Sequence, residues 1–239
     1  MQTLAVLSRK GGTGKTTLAT HLAVAAEAEK RRTLILDMDP QRSAIDWRRE
    51  RPEHRVGPRV EQGRIGALFA ARQAASRGET DLLMLDTRAG GESETCEAVR
   101  TADLCLLVVR PSFYDIRSIA RSVEAVVNMR KRGLFVLNQA PARRNGEEPR
   151  SIRQALEQLA DYGLPICPVG LRMRSAYQSA SARGLAAQEA WPDSQAAFEV
   201  NSLWRVVRRE LWPEAHARPV RAAARDPETD APLDLALAG

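Results

Sequence analysis

A glycine-rich stretch near the start of the chain, KGGTGKTT at residues 10–17, constrains the fold more than any other feature of the sequence. The apolar run at residues 3–7 predicts a buried strand before it, and residues 18–26 predict a helix after it. Glycines let the backbone curl so that successive N–H groups face one centre, and the helix that follows adds the positive end of its dipole. A strand, a glycine-rich loop and a helix that opens with Lys-Thr form the context of a phosphate-binding P-loop.

The residue types in this loop predict how it would hold a nucleotide. Lys15 would bring a full positive charge to the β- and γ-phosphates, and the Thr16 hydroxyl would contribute to a Mg²⁺ site. The standard pattern G-x-x-x-x-G-K-[ST] expects its first glycine where this chain has Arg9, and a second lysine, Lys10, follows. The nucleotide-binding residues predicted in the loop are Gly11, Gly12, Thr13, Gly14, Lys15, Thr16 and Thr17.

Aspartates stand at the ends of two further predicted strands. The run at residues 33–37 leads into DMDPQ at 37–41, and the run at 81–86 ends in an aspartate after four apolar residues, which is the Walker B form. A Walker B carboxylate holds Mg²⁺ through water, and two carboxylates two residues apart suit both Mg²⁺ and the orientation of an attacking water. The alternative for Asp39 is a cap on the next helix. The predicted metal site comprises Thr16, Asp37 and Asp86, with the aspartates acting through water.

Strand and helix signals alternate along the rest of the chain. Further strands are predicted at residues 104–109, 134–138 and 165–169, whereas the proline and glycine residues in 52–63 predict a loop. Helices are predicted from a cap at Ser43 and at residues 65–77, 114–132, 152–162, 174–183 and 194–211. Continuous apolar strands that alternate with helices predict an α/β fold of the P-loop NTPase type, a mostly parallel sheet with helices on both faces. Ligands of such sheets bind at the carboxyl ends of the strands.

Length and composition predict one domain at residues 1–212 and a flexible tail rich in proline and alanine at 213–239. The three cysteines form neither a CxxC pair nor a zinc pattern, which favours a reducing cytoplasm. No apolar run reaches the roughly 18 residues that span a bilayer. Leucines at 233, 235 and 237 alternate rather than forming a helical stripe, so no membrane-anchoring helix is predicted. We therefore expect a cytoplasmic protein without a membrane partner.

The net charge of +6 and the isoelectric point near 9.7 are compatible with a polyanionic partner such as DNA. Contacts of this kind would be made to the phosphate backbone, and they would be salt-sensitive and weakly specific. The candidate DNA-binding residues near the C-terminus are Arg172, Arg174, Arg205, Arg208 and Arg209.

The K-G-G-x-G-K-T-T loop with its front lysine resembles the deviant Walker A box of the ParA/MinD family of ATPases. The segment at 37–41 resembles the second nucleotide motif of that family, and TRAGG at 87–91 resembles its switch segment, although family members usually have Pro or Ala where Arg88 stands. Residues 183–197 resemble the stretch before the last helix of small, plasmid-type ParA proteins. The resemblance covers about residues 1–211.

This resemblance implies an ATP-dependent homodimer that sandwiches two ATP molecules with Mg²⁺. It implies that Lys10 reaches the phosphates held by the other subunit, that Asp39 positions the hydrolytic water and that Asn138 hydrogen-bonds the adenine. Lys10, Lys15 and Asp39 are then the predicted catalytic residues. In the family, the ATP-bound dimer binds nonspecific double-stranded DNA on the nucleoid, and a ParB-like or other cargo adaptor stimulates hydrolysis and release.

Several functions remain open at this point. The first expectation is partition of a plasmid or chromosome, and the alternative is the positioning of a protein cargo such as an organelle or a chemoreceptor cluster. A MinD-like membrane switch is disfavoured by the absence of an amphipathic C-terminal helix. An iron–sulfur ATPase would need cluster-ligating cysteines, for which Cys96 after the switch glycines is the candidate. A DNA-binding module without enzymatic activity would bind DNA equally with or without nucleotide.

Overall fold

The computed structural model describes residues 1–143 and 145–213 of the chain. All but the first residue of the tail predicted at 213–239 lies outside the described residues, so the division into domain and tail stays a prediction. None of the described helices is both long and apolar enough to cross a bilayer.

The centre of the fold is a six-stranded sheet in which all pairings are parallel. Its strands are β1 (Gln2–Leu7), β2 (Thr33–Asp37), β3 (Arg59–Gln62), β4 (Leu82–Asp86), β5 (Leu104–Val109) and β6 (Arg132–Leu137). They lie in the order β3-β2-β4-β1-β5-β6. Strands β2, β3 and β4 therefore lie on one side of β1, and β5 and β6 lie on the other. This order puts the loop that follows β1 near the middle of the carboxyl edge, where ligands of open sheets bind.

Helices cover the sheet. They are α1 (Lys15–Ala28), α2 (Ser43–Arg49), α3 (Leu68–Arg77), α4 (Glu92–Thr101), α5 (Phe113–Ser118), α6 (Ala120–Asn128), α7 (Arg150–Ala160), α8 (Ser175–Ser181), α9 (Ala187–Ala190) and α10 (Gln195–Leu211). Together with the parallel sheet, they confirm the predicted α/β architecture with helices on both faces.

The buried core lies on both faces of the sheet. Along β1, Leu4 and Val6 belong to the apolar cluster formed with α1 and α10, and Trp204 of α10 is the largest side chain buried there. The intervening residues Ala5 and Leu7 belong to the opposite cluster, formed with α3 and α4. Alternate residues of a strand point to opposite faces, so a strand that is covered on both sides must be apolar throughout. This is why the central strands could be recognised in the sequence as unbroken apolar runs.

The prediction at both edges of the sheet was wrong. Residues 59–62, placed in a loop, form the edge strand β3, whose side chains are mostly exposed and which therefore carries no apolar run. Residues 165–169, expected as a strand, make only an isolated bridge between Ile166 and Phe135 of β6. Pro165 and Pro168 lack the N–H groups that the hydrogen-bond ladder of a strand requires. The segment therefore runs beside β6 and forms two backbone hydrogen bonds with it, but it does not add a strand to the sheet.

Two helical predictions also needed correction, and two helices were missed. The helix expected over 114–132 is divided at Ile119 into α5 and α6. The helix α4 and the short helix α9 were not predicted. Ser43 was expected to cap α2, but it is the first residue of that helix, and its side chain makes no capping hydrogen bond among the described contacts. The side chain of Asp37 instead accepts hydrogen bonds from the first N–H groups of α2.

Candidate nucleotide-binding site

The glycine-rich loop runs from the end of β1 to the first residue of α1, as the sequence predicted. Gly12 and Gly14 have φ angles of 70° and 85°, in the left-handed region that favours glycine. Gly14 precedes α1 as its N-terminal flanking residue and, within the described chain, no side chain caps this end of the helix. The first N–H groups of α1 therefore remain available for an anion, which is the arrangement by which helix N-termini bind phosphate.

The two lysines of the loop differ in their surroundings. Lys15 is buried, with 7% of its surface exposed, whereas Lys10 is exposed. Burial lowers the pKa of the Lys15 ammonium group, and the negative charges of Asp86 and Asp39 act in the opposite direction. The structure thus brings Lys15 close to two of the carboxylates predicted for the site. Lys10 lies at the surface, where a residue that acts on a second subunit must lie.

Asp86 is fully buried at the end of β4, beside Val6 of β1 and Asp37 of β2. No described residue meets hydrogen-bond geometry with either of its carboxylate oxygens, although the Thr16 hydroxyl lies near enough to act on the carboxylate. Burial raises the pKa of Asp86 to about 7, whereas the nearby Thr16 hydroxyl and the charge of Lys15 lower it. A buried carboxyl group without partners is costly unless a cation or a hydrogen-bond donor completes it. These two oxygens and the Thr16 hydroxyl therefore fit a hard divalent cation.

The described residues contain no group of three or more His, Cys, Asp or Glu side chains that could hold a metal ion alone. A cation beside Asp86 would need further oxygen ligands from hydroxyl groups, water and a bound phosphate. Mg²⁺ is commonly held in this way, by one or two carboxylates together with substrate phosphates. The donor set is therefore that of a metal–nucleotide site.

Asp37 has a structural role that the sequence did not reveal. Its Oδ2 accepts hydrogen bonds from the N–H groups of Ala44 and Ile45 at 2.9 and 3.1 Å, and its Oδ1 accepts one from the N–H of Asp39 at 3.0 Å. Asp37 thereby supplies the helix cap that was considered for Asp39 and expected from Ser43. Both oxygens already have backbone donors, so the metal role of Asp37 stays a prediction.

Asp39 follows in the connection between β2 and α2 and is partly exposed. Its Oδ1 accepts a hydrogen bond from the N–H of Gln41 at 3.0 Å, which forms a local turn. The negative charge of Asp39 raises the pKa of both Lys15 and Asp86, so the three residues form one group of charged side chains. Its role in orienting the attacking water stays a prediction.

Asn138 lies just beyond β6 and faces the glycine-rich loop. Its Nδ2 donates to the carbonyl oxygen of Thr13 at 2.6 Å, and its Oδ1 accepts from the N–H of Gln139 at 2.9 Å. Gln139, which the sequence analysis did not single out, donates from Nε2 to the carbonyl oxygen of Gly12 at 2.7 Å. Both polar groups of Asn138 are thus engaged within the chain, and its contact with adenine stays a prediction.

The segment that resembles a switch begins directly after Asp86. The Thr87 hydroxyl donates to the carbonyl oxygen of Val6 at 2.7 Å, which ties the start of the segment to β1. Arg88 is exposed, and its Nε lies 3.4 Å from the carboxylate of Glu94 in α4. Arg88 is therefore paired with a glutamate of the same chain, and a catalytic role for it finds no support in this geometry.

Contacts within the chain divide the five arginines predicted to bind DNA. Arg172 pairs with Glu148, Arg174 pairs with Glu199 and Arg208 pairs with Glu29. Arg205 and Arg209 lie on α10 with exposed side chains, and no ion pair with them is found within residues 1–143 and 145–213. The second group therefore presents its charge to solvent more freely than the first.

Two cavities of the described chain differ in their relation to the glycine-rich loop. One of about 380 Å³ adjoins the glycine-rich loop and is lined by Thr16, Thr17, Thr20, Ser43, Asp46, Trp47, Glu50 and Ser181. A larger one of about 540 Å³ lies between the end of α1, residues 51–57 and α9, and contains none of the predicted site residues. We place the functional site at the loop, because the convergent lysine, aspartates and free N–H groups are there, whereas the charged groups Arg51 and Glu189 of the larger cavity are paired with each other.

Comparisons with known proteins agree with this geometry. A family model described as the CobQ/CobB/MinD/ParA nucleotide binding domain matches residues 4–187. The Maintenance of carboxysome distribution protein A of Gloeobacter kilaueensis is 32% identical over 213 residues, which cover 87% of this chain and 93% of that protein.

Solved structures show the same fold. A complex of ATP with a variant of McdA from Cyanothece superposes with a TM-score of 0.66 at 17% identity and covers 88% of this chain and 96% of its own. The septum site-determining protein MinD of Pyrococcus horikoshii OT3, complexed with Mg-ADP, gives a TM-score of 0.67 at 18% identity, with coverage of 86% and 95%.

Proposed function

Because this chain belongs to the CobQ/CobB/MinD/ParA family of nucleotide-binding domains, we propose that it is a Mg²⁺-dependent ATPase that converts ATP and water into ADP and phosphate. The observation that carries this proposal is the pair of unpartnered oxygens on the buried Asp86, beside Thr16 and Lys15 at the uncapped start of α1. The ATP and Mg-ADP named for the two similar solved structures support the choice of nucleotide and metal.

Each residue of the site has a task in this reaction. The N–H groups of residues 11–17 bind the phosphates, and the buried ammonium group of Lys15 neutralises charge that develops on them. Thr16 and Asp86 hold Mg²⁺, which when bound supplies positive charge to the phosphate oxygens. Asp39 orients the attacking water, and Asn138 contacts the base. Asp37 acts on Mg²⁺ through a water molecule, because its carboxylate already accepts hydrogen bonds from the first N–H groups of α2.

The active form in this proposal is an ATP-dependent homodimer. Lys10 is exposed in the loop while Lys15 is buried, which fits one lysine for the chain's own nucleotide and one for that of the partner subunit. The dimer binds nonspecific double-stranded DNA, so that the protein is cytoplasmic and associated with the nucleoid. The net charge of +6 and the exposed Arg205 and Arg209 support this activity.

The cargo is a separate question within the same mechanism. The similarity at 32% identity to a protein named for the maintenance of carboxysome distribution favours the positioning of a protein cargo through an adaptor that stimulates hydrolysis. Partition of a plasmid or chromosome by a ParB-like adaptor is the second candidate, supported by the resemblance of residues 183–197 to plasmid-type proteins. The identity of the adaptor would separate the two.

Fluorescence anisotropy with a nonspecific DNA duplex tests the proposal. We expect binding with ATP and Mg²⁺, and little or none with ADP or without nucleotide. Lys10→Ala should abolish it, whereas Lys30→Ala, an exposed lysine beyond α1, should not. Equal binding in every nucleotide state would indicate a DNA-binding module without an ATP switch, and no binding in any state would remove the nucleoid from the mechanism.

A further inference from the structure

Two neighbouring amide side chains beyond β6 hold two successive carbonyl groups of the glycine-rich loop. Gln139 donates to the carbonyl of Gly12 at 2.7 Å, and Asn138 donates to the carbonyl of Thr13 at 2.6 Å. The partners are separated by 127 and 125 residues in the sequence, so these are tertiary contacts made by the fold. We call this pair of contacts the amide strap.

The strap fixes the direction of backbone N–H groups as well as carbonyl groups. In a trans peptide unit, the C=O and the N–H of the next residue point in opposite directions in one plane. Holding the carbonyl of Gly12 toward Gln139 therefore turns the N–H of Thr13 away from it. Holding the carbonyl of Thr13 toward Asn138 does the same for the N–H of Gly14. These are two of the N–H groups that a P-loop directs at phosphate.

The surroundings of the strap show that it is tightly fitted. Gln139 has a φ of 51°, which is uncommon for a residue other than glycine, and its own N–H is held by Oδ1 of Asn138. A Cβ atom on Gly14 would lie 2.4 Å from Nδ2 of Asn138, so the loop can carry no side chain at this position without displacing the strap. The glycine thus serves close approach as well as its own positive φ.

We propose that Gln139 is a positioning residue that orients the phosphate-binding N–H groups of the loop through the carbonyl of Gly12. The inference rests on the proposed nucleotide binding and adds a residue outside the loop motif. Gln139 is the member of the strap to test, because Asn138 is buried and is also the predicted contact of the base. Gln139 is partly exposed, so its replacement disturbs little packing.

The test replaces Gln139 by methionine, which has a similar length but no donor. Gln154→Met, on the exposed face of α7, is the matched control. Loss of one hydrogen bond between neutral groups corresponds to a change of about threefold to tenfold in the dissociation constant for Mg-ATP. The strap acts equally before and during phosphate transfer, so the KM for ATP should rise by a similar factor while kcat stays within about twofold. A role in folding alone would instead lower the active fraction and the apparent kcat with KM unchanged.

A second measurement does not depend on hydrolysis. Hydrogen exchange of peptides that cover residues 9–16, measured on the protein without nucleotide, should be faster in Gln139→Met than in the wild type and in Gln154→Met. Unchanged KM and unchanged exchange in Gln139→Met would overturn the strap while leaving the ATPase intact. A wild-type protein that binds no Mg-ATP would overturn the proposed function and the strap together.

Discussion

The guanidinium group of Arg51 and the carboxylate of Glu189 form a buried ion pair with two hydrogen bonds, at 2.8 and 2.7 Å, across 138 residues of sequence. Arg51 also donates to the carbonyl oxygens of Gly57 and Gly184. Burial raises the pKa of Glu189, but the hydrogen bonds from Arg51 and from the N–H of Ala186 outweigh this effect and lower it. The segment at 183–197 that resembles plasmid-type proteins is therefore bound to Arg51, which lies just beyond the end of α2.

Breaking this pair should strongly destabilise the protein. Glu189→Gln removes the charge that compensates Arg51, whose side chain is only 3% exposed, and an uncompensated buried charge costs about 3–5 kcal/mol. Urea unfolding followed by circular dichroism would measure this loss. The control is Asp46→Asn, which breaks the exposed pair with Arg49 and should cost less than about 1 kcal/mol. Equal losses in the two variants would show that the buried pair has no special weight.

Gly184 should be more sensitive to substitution than its backbone angle alone suggests. Its φ is 62°, and a Cβ atom there would lie 2.2 Å from the backbone nitrogen of Arg51. Gly163 has a comparable φ of 70°, but a Cβ atom there meets nothing within 4 Å. Gly163→Ala should therefore cost about 1–2 kcal/mol for the left-handed backbone, and Gly184→Ala should cost clearly more. Equal midpoints of urea unfolding for the two variants would mean that the backbone around Arg51 moves away from residue 184 without a loss of stability.

How far the sequence predicted the fold depended on how deeply each element is buried. Strands β1, β2, β4, β5 and β6 are covered on both faces, so a continuous run of apolar residues marks each of them. The side chains of the edge strand β3 are mostly exposed, whereas those of the opposite edge strand β6 are mostly buried, so only β3 lacks such a mark. The segment at 165–169 is apolar because it packs beside β6, although its prolines prevent it from joining the ladder.

The same distinction applies to the site. The meeting of Lys15, Asp39 and Asp86 could be predicted, because residues that follow neighbouring parallel strands share one edge of the sheet. The sequence could not predict the helix cap from Asp37 or the strap from Gln139. Asp37 accepts from a backbone N–H group beyond a turn, and Gln139 donates to a carbonyl group 127 residues away, so both contacts depend on distances that only the folded chain sets. The pairing of Arg172 and Arg174 with glutamates was hidden for the same reason.

The division among the arginines predicts unequal effects on DNA binding. Replacing both Arg205 and Arg209 by glutamate should weaken ATP-dependent binding and reduce the slope of log K against log salt by about 2, because each phosphate contact contributes about 0.9. The control replaces Arg77 and Arg100, exposed residues of α3 and α4, so that the change in net charge is the same. If both double variants lose affinity equally, net charge rather than α10 governs the binding.

His21 predicts a loss of stability on acidification. It is fully buried in α1, its Nδ1 lies 2.7 Å from the carbonyl oxygen of Thr17, and its Nε2 has no partner among the described residues. Burial lowers the pKa of His21 from 6.5 to about 4, while the Thr17 carbonyl and the charge of Glu189 raise it. The ring is therefore neutral in the folded protein at neutral pH, and it packs against Tyr177 in a T-shaped arrangement.

The sign of the effect follows from proton binding. Between pH 6.5 and 4 the unfolded chain binds a proton at His21 and the folded protein does not, so the free energy of unfolding falls as the pH falls through this range. The full shift corresponds to about 3 kcal/mol at 1.36 kcal/mol per unit of pKa. His21→Gln should remove this contribution, so its urea stability should decline less than that of the wild type between pH 7 and pH 4. His54→Gln, at an exposed position, should follow the wild type. Parallel curves for His21→Gln and the wild type would mean that the buried ring is protonated without cost and that acid sensitivity arises elsewhere.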